Sequence, residues 1–212
     1  RRQRQMCIRD RHERGVVAYQ RNQDAQAVEY YYAAARKYPD ERLVRRALMD
    51  AAVALADLAE ALGDRRHLEY ARKVCTWVRR GPDDGMEIRT IAGLNLMRTA
   101  ALADDRETFD RLRNELKKEK MSGYWQTHYF VFVGQALRRF GKRGAARDAF
   151  EKAISLAERY HVNKLLVDAD KMLAVTEDRP IVWRERDPNA AVETLFADID
   201  KCQGVFAGAN SD

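Results

Sequence analysis

Residues 127–160 read THYFVFVGQALRRFGKRGAARDAFEKAISLAERY, and this stretch decides the fold of the 212-residue chain. Large and small apolar side chains alternate through two successive amphipathic segments. Two helices can cross closely only where one side chain is small, so Gly134 and Ala146 mark the expected contact points. Phe150 fills the space beside them, and Ala153 lets the following helix approach. Such a helix pair cannot bury its apolar face alone, so several pairs should stack.

The same pattern returns along the chain. An earlier copy keeps a glycine, an aromatic residue and a closing proline, at Gly15, Ala27, Tyr31, Ala34 and Pro39. When Ala27, Ala71, Thr108 and Ala146 are taken as equivalent, the steps between copies are 44, 37 and 38 residues. Self-similarity at such a period is typical of repeat proteins. The sequence therefore predicts about four helix pairs, followed by one more helix.

These residues resemble the tetratricopeptide repeat, which pairs a Leu-Gly-x-x-Tyr-like first helix with an Ala-x-x-x-Phe-x-x-Ala second helix. Thr127–Tyr160 match most signature positions, with Phe130 in the usual place of Trp. Asp10–Pro39 match in their second half, because Arg11 and Arg14 occupy positions of large apolar residues. The family period is about 34 residues, so these units resemble the lengthened repeats of bacterial regulators. The resemblance implies an all-α, right-handed superhelical array of antiparallel helix pairs.

Composition and local signals favour helix nearly throughout. Only 4 Pro and 11 Gly interrupt a chain that is rich in Ala, Leu, Arg and Glu. Alternating runs rich in Val and Ile are absent, so we expect no β-sheet. The capping and periodicity signals predict helices at His12–Arg21, Asp24–Lys37, Glu41–Leu62, Arg66–Val78, Met86–Ala103, Arg106–Lys118, from a cap at Ser122 to Phe140, from the Gly141–Gly144 turn to Tyr160, and Asn163–Thr176.

The two ends of the chain differ from the repeats. Residues 1–11 hold five Arg against one Asp, begin with Arg, and are similar to a translated sequencing adapter, so we expect a non-native or disordered start. Residues 12–178 form the predicted repeats. Residues 179–203 read as an extended linker and a helix with Val192, Leu195 and Phe196 on one face. That helix either caps the last apolar face of the stack or leads to a further domain. Residues 204–212 read as a loose tail.

Charge and cysteine content narrow the function classes. The net charge of +6 falls to about +2 without residues 1–11, which is a weak footprint for a nucleic-acid-binding protein. The longest apolar stretch in a predicted helix, Ala51–Ala56, is too short to cross a bilayer. Cys7, Cys75 and Cys202 lie far apart, which favours a reducing cytoplasm over a disulfide framework, and Cys75 reads as a small core residue.

Motifs of catalysis are missing from the sequence. It holds no glycine-rich phosphate loop, no His-Glu-x-x-His, no nucleophile elbow and no paired cysteine site. The four histidines are isolated from one another. The adjacent acids Asp104 and Asp105 lie in a break between helices, where capping explains them. We therefore expect no enzymatic activity, no metal and no cofactor.

Partner binding is the remaining hypothesis. The resemblance places the first helix of each pair along a concave groove, and it selects His128, Val131, Gln135, Arg138 and Arg139 as partner-binding positions. The Arg138 and Arg139 guanidinium groups suit planar carboxylates, although the family's Lys, Asn and Arg peptide clamp is not reproduced. The surrounding aromatic residues either pack in the core or anchor a partner.

We accordingly expect an interaction scaffold for a peptide or protein, within a larger bacterial signalling or transcription-regulatory protein. The alternatives are a helical repeat that contacts nucleic acid and a non-catalytic accessory or chaperone subunit. A continuous stripe of Lys and Arg on one face would favour nucleic acid.

Overall fold

The computed structural model describes residues 2–81, 87–174, 181, 183, 196, 197 and 200, with side chains from Ile8 onward. Within these residues the regular secondary structure is entirely helical, which confirms the all-α prediction. The helices are α1 (Arg2–Gln20), α2 (Asp24–Ala35), α3 (Glu41–Leu62), α4 (Arg65–Arg80), α5 (Ile88–Leu102), α6 (Arg106–Leu116), α7 (Gly123–Arg139), α8 (Arg143–Arg159) and α9 (Asn163–Ala174).

Aspartate side chains cap the starts of α3, α4 and α6, whereas the predicted cap Ser122 accepts no capping hydrogen bond at the start of α7. Helix α3 begins where the Asp40 carboxylate accepts a hydrogen bond from the Arg42 backbone N–H at 2.9 Å. It ends at Gly63, whose φ of 66° is left-handed. Asp105 caps α6 by accepting from the Thr108 N–H at 3.1 Å, as expected for an acid in that break.

The start of α1 differs from the prediction. The helix begins at Arg2 rather than at His12, and Ile8 is only 7% exposed. Two exposed ion pairs at i,i+4 spacing, Arg9–Glu13 at 3.7 Å and Arg14–Asp10 at 3.0 Å, follow the same helix. The predicted helix start at His12 was wrong, because the i,i+4 spacing of these ion pairs continues the helix N-terminal to His12. That residues 1–11 are non-native stays a prediction.

The chain divides into two compact units. One comprises Arg1–Asp84 together with Val182–Asp212, and the other comprises Gly85–Ile181. In the first unit, α1 to α4 pack one against the next in chain order. In the second unit, α5 packs on α6 and α7, α7 packs on α8, and α9 contacts both α7 and α8.

A small residue opposite an aromatic ring recurs in both units. An ideal Cβ on Gly15 of α1 would lie 2.6 Å from the Tyr31 ring, and one on Gly134 of α7 would lie 2.6 Å from the Phe150 ring. Each glycine precedes its aromatic partner by 16 residues. Ala27 is 0% and Ala146 is 2% exposed, so both predicted crossing points are buried. The small residues therefore permit the close approach that the spacing predicted.

The same 16-residue interval separates two further pairs of buried residues on consecutive helices. Ala59 of α3 precedes Cys75 of α4 by this interval, and Gly93 of α5 likewise precedes Phe109 of α6. Phe109 is 1% exposed and lies edge-to-face with Phe140 at 5.3 Å. Phe109 therefore lies at the same interval from a glycine as Tyr31 and Phe150 do. The predicted third copy is aligned on Thr108, and its register stays a prediction.

Two polar contacts join α1 to α3 in the first unit. Nε2 of His12 lies 2.8 Å from Oδ2 of Asp50, and seven residues further along each helix the Tyr19 hydroxyl donates to Asp57 at 2.7 Å. The residue numbers of the contacting pairs increase in the same direction along both helices, so α1 and α3 run parallel to each other. Nδ1 of His12 also lies 3.0 Å from the Tyr38 hydroxyl, which ties the end of the first helix pair to this contact.

No helix in the described part of the chain combines the length and hydrophobicity that a bilayer crossing requires. The predicted cap helix and tail fall mostly outside the described residues. Of that region, Phe196 is 2% exposed and contacts His67 and Tyr70 of α4. That this region forms a cap stays a prediction.

Candidate partner-binding surface

Helix α7 carries a stripe of half-buried side chains at helical spacing. The stripe consists of Trp125, His128, Phe132, Gln135 and Arg139, at alternating intervals of three and four residues. Intervals of this kind place side chains in one row along a helix. We call this row the α7 stripe. Three of the five predicted binding residues, His128, Gln135 and Arg139, belong to it.

The N-terminal half of the α7 stripe is an aromatic cluster. The ring of His128 lies 4.7 Å from Tyr124, 5.3 Å from Trp125 and 5.7 Å from Phe132, centroid to centroid. Tyr124 and Trp125 meet edge-to-face at 4.8 Å. Tyr124 is 45% exposed, although Trp125 and Phe132 also pack against the buried core of the second unit. Trp125 and Phe132 therefore hold the cluster against the core, and Tyr124 remains accessible to solvent.

His128 stands in this cluster with an unsatisfied ring nitrogen. Its Nε2 is enclosed and has no hydrogen-bond partner among the described residues. Burial, together with the smaller effect of the positive charges of Lys164 and Arg98, lowers the pKa of His128 to about 4. The imidazole is therefore neutral at physiological pH. A buried polar atom without a partner is costly, so this atom marks a place where an added hydrogen bond would be favourable.

Cationic side chains from neighbouring helices border the aromatic cluster. The Arg98 guanidinium of α5 lies over the Phe132 ring at 5.7 Å. The positive charge of Lys164, in the first turn of α9, lowers the pKa of His128. At the other end of the α7 stripe, Arg139 is half-exposed and makes no side-chain hydrogen bond or ion pair within the described chain. The surface therefore combines apolar rings with positive charge at its edges.

Helix α9 contacts three of the predicted groove positions, including Gln135 of the α7 stripe. Val131 is 4% exposed and packs with Ala153 and Ala169. The Gln135 side-chain amide lies 3.1 Å from the Met172 sulfur, and Nη1 of Arg138 donates to the Met172 carbonyl at 2.7 Å. The positions carried over from the repeat family thus place Val131 and Arg138 against the next helix, not in an open groove.

The physical reason is the same in both units. On α7, Val131 lies three residues before Gly134 and Arg138 lies four residues after it. On α1, His12 and Tyr19 lie at the same distances from Gly15. They use those positions to bind α3, the helix two further along the chain. Side chains at these positions contact the helix two further along the chain, so they are not open to a partner.

The sequence analysis noted the crowding of aromatic residues on α7 but did not assign Trp125 and Phe132 to the surface. The signal that identifies them is their spacing from His128, three residues before and four after. Tyr129, by contrast, is 6% exposed and donates its hydroxyl to the Arg113 carbonyl at 3.2 Å, so it belongs to the core.

Metal-binding geometry is not found in the described ranges, which contain no group of three or more His, Cys, Asp or Glu side chains able to hold an ion. Cys75 is fully buried, and its burial raises the pKa of the thiol. Comparison of the chain with protein-family models, with curated proteins and with solved structures returns no match.

Proposed function

We propose that this protein is a non-enzymatic interaction module that binds a segment of a partner protein along the α7 stripe. The observation that carries the proposal is the aromatic cluster around His128, in which Tyr124 is 45% exposed and the enclosed Nε2 of His128 has no partner among the described residues. Aromatic side chains that remain accessible on a rigid helix are the usual anchors of protein interfaces.

The proposal includes the architecture. We infer a tetratricopeptide-like solenoid of antiparallel helix pairs, with the face of α5, α7 and α9 as the binding face of the second unit. Two observations support it: the equivalent contacts of Gly15 with Tyr31 and of Gly134 with Phe150, and the parallel neighbours α1 and α3. Such arrays present extended surfaces for partners. In this proposal the chain serves as a cytoplasmic module of a larger bacterial signalling or transcription-regulatory protein.

The chemistry of the surface defines the partner. An apolar or aromatic side chain of the partner would lie against Tyr124 and Trp125, and an acidic side chain would approach Arg98, Lys164 or Arg139. Charge complementarity of this kind fixes orientation and speeds association. A neutral His128 can donate or accept one further hydrogen bond to a partner that reshapes the cluster.

The test is affinity capture with the full chain and two matched variants. The binding variant combines Tyr124→Ala with Arg139→Glu, and the control variant is Arg143→Glu, an equal change of charge on an exposed residue of α8. Proteins that are captured by the wild type and the control but lost from the binding variant would support the α7 stripe. Equal recovery by all three would exclude it, and recovery of nucleic acid instead of protein would favour the alternative function.

A further inference from the structure

The outer face of α4 is occupied by a distant part of the same chain. The Phe196 ring stacks on Tyr70 with centroids 3.7 Å apart and planes 6° apart, and it meets His67 edge-to-face at 5.5 Å. Four residues later, the Asp200 carboxylate accepts hydrogen bonds from the Tyr70 hydroxyl at 3.1 Å and from Lys73 at 3.2 Å. Phe196 and Asp200 both have helical backbone, and both contact side chains of α4.

Phe196 and Asp200 contact α4 as a bound peptide would contact a docking site. We call the α4 face formed by His67, Tyr70 and Lys73 the socket. One aromatic anchor is almost fully buried, with Phe196 at 2% exposure, whereas the ion pair beside it is open to water, with Lys73 at 49% and Asp200 at 47%. A buried aromatic anchor beside an exposed charge pair is the usual anatomy of a peptide interface. The exposed pair selects for a carboxylate but contributes little affinity.

The segment that contacts α4 lies far from it along the chain, and 21 residues separate Ala174 at the end of α9 from Phe196. Because Phe196 and Asp200 belong to the same chain as α4, they compete with a partner segment as an intramolecular ligand. A partner segment takes their place when the ratio of its concentration to its dissociation constant exceeds the equilibrium constant of the intramolecular contact.

We propose that the α4 face formed by His67, Tyr70 and Lys73 is a second protein-docking site, which the chain's own segment at Phe196–Asp200 occupies in cis. Its partner is a protein helix that carries an aromatic residue followed four positions later by a carboxylate. The aromatic ring is specified by the stacking surface of Tyr70, and the carboxylate by the charge of Lys73. This site lies in the first unit and does not depend on the α7 stripe.

The experiment measures whether the socket accepts a ligand in trans. The probe is a fluorescein-labelled peptide of residues 187–203 with Cys202→Ser, and its binding is followed by fluorescence anisotropy. The proteins are the full wild-type chain and two opened full-length variants, Phe196→Ala/Asp200→Ala and Asp200→Lys alone. The peptide should bind the doubly opened variant at least tenfold more tightly than the wild type, because the tethered segment no longer competes.

Charge reversal tests the specificity of the socket. In the doubly opened background, Lys73→Asp should weaken binding of the peptide about fivefold, and a peptide with Asp200→Lys should recover that loss. Lys152→Asp, the same change on an exposed residue of α8, is the control and should have no effect. A peptide with Phe196→Ala should not bind.

Equal affinity of the wild type and both opened variants, or no binding to any of them, would overturn the proposal. Binding that ignores Lys73→Asp and the peptide's Phe196→Ala would overturn it as well. Should the doubly opened variant lose helical circular dichroism, the comparison proceeds with Asp200→Lys, which changes only an exposed side chain. In that background the peptide with Phe196→Ala is the specificity test: it should not bind, and binding equal to that of the unchanged peptide would overturn the proposal.

Discussion

Replacing Gly134 by alanine tests the close helix crossing on which the second unit depends. The added Cβ would lie 2.6, 2.7 and 2.9 Å from three carbon atoms of the Phe150 ring, which is closer than real Cβ contacts come. Phe150 is 1% exposed, so its ring has no solvent space to move into. Overpacking of this kind costs about 1–3 kcal/mol, and it outweighs the gain of about 0.5–1 kcal/mol from replacing glycine within a helix.

The chain offers a matched control at Gly144 of α8. A Cβ added there meets nothing within 4 Å, so Gly144→Ala should stabilise by the helix gain of about 0.5–1 kcal/mol alone. The two substitutions are chemically identical and are predicted to change stability in opposite directions. Gly134→Leu, with a larger side chain at the same place, should cost more than Gly134→Ala.

Urea denaturation followed by far-ultraviolet circular dichroism measures both effects. In the Gly134→Ala background, Phe150→Leu should cost less than it does in the wild type, because the smaller side chain relieves the clash. If Gly134→Ala and Gly144→Ala shift the denaturation midpoint equally, the crossing point is not at Gly134 and the reasoning fails.

Three further predictions concern single side chains. In the folded chain the pKa of His128 is about 4, against about 6.5 when unfolded, so its protonation opposes folding. The free energy of unfolding of the wild type should fall by about 3 kcal/mol relative to that of His128→Phe as the pH falls from 6.5 to 4. An equal change of both free energies over this pH range would contradict the burial of the imidazole. Tyr19→Phe removes the hydroxyl that donates to Asp57 at 2.7 Å, so the free energy of unfolding should fall by about 1–2 kcal/mol, whereas Tyr19→Phe in an Asp57→Asn background should cost less. Asp105→Ala removes the acceptor of the Thr108 N–H and should cost about 1 kcal/mol, which Asp105→Ser should largely restore in the same denaturation assay.

The helices were predictable because their signals are local. Helix α3 has the predicted bounds, since an acid at Asp40 and a glycine at Gly63 act within one turn of each end. The close pairs were predictable for a similar reason. Gly134 and Phe150 lie on consecutive helices joined by a short turn, so their spacing along the chain fixes their meeting.

The candidate site was only partly predictable. The family resemblance selected a row on α7 without knowing where α9 would lie, and α9 covers Val131 and binds Arg138. The low pKa of His128 depends first on its burial in the folded chain and then on the charges of Lys164 and Arg98, which come from two other helices. No short-range pattern in α7 specifies either fact.

The amino-acid sequence by itself determined that this chain forms helices, where most of them begin and end, and which small residues let paired helices touch. Those properties follow from hydrogen bonds and side-chain spacing within a few turns. Only the tertiary structure decided which face of α7 stays open and that Phe196 lies on Tyr70, 126 residues earlier in the chain. Such choices depend on which apolar faces fit best among many of similar hydrophobicity, and shape complementarity between distant segments is a property of the folded packing alone.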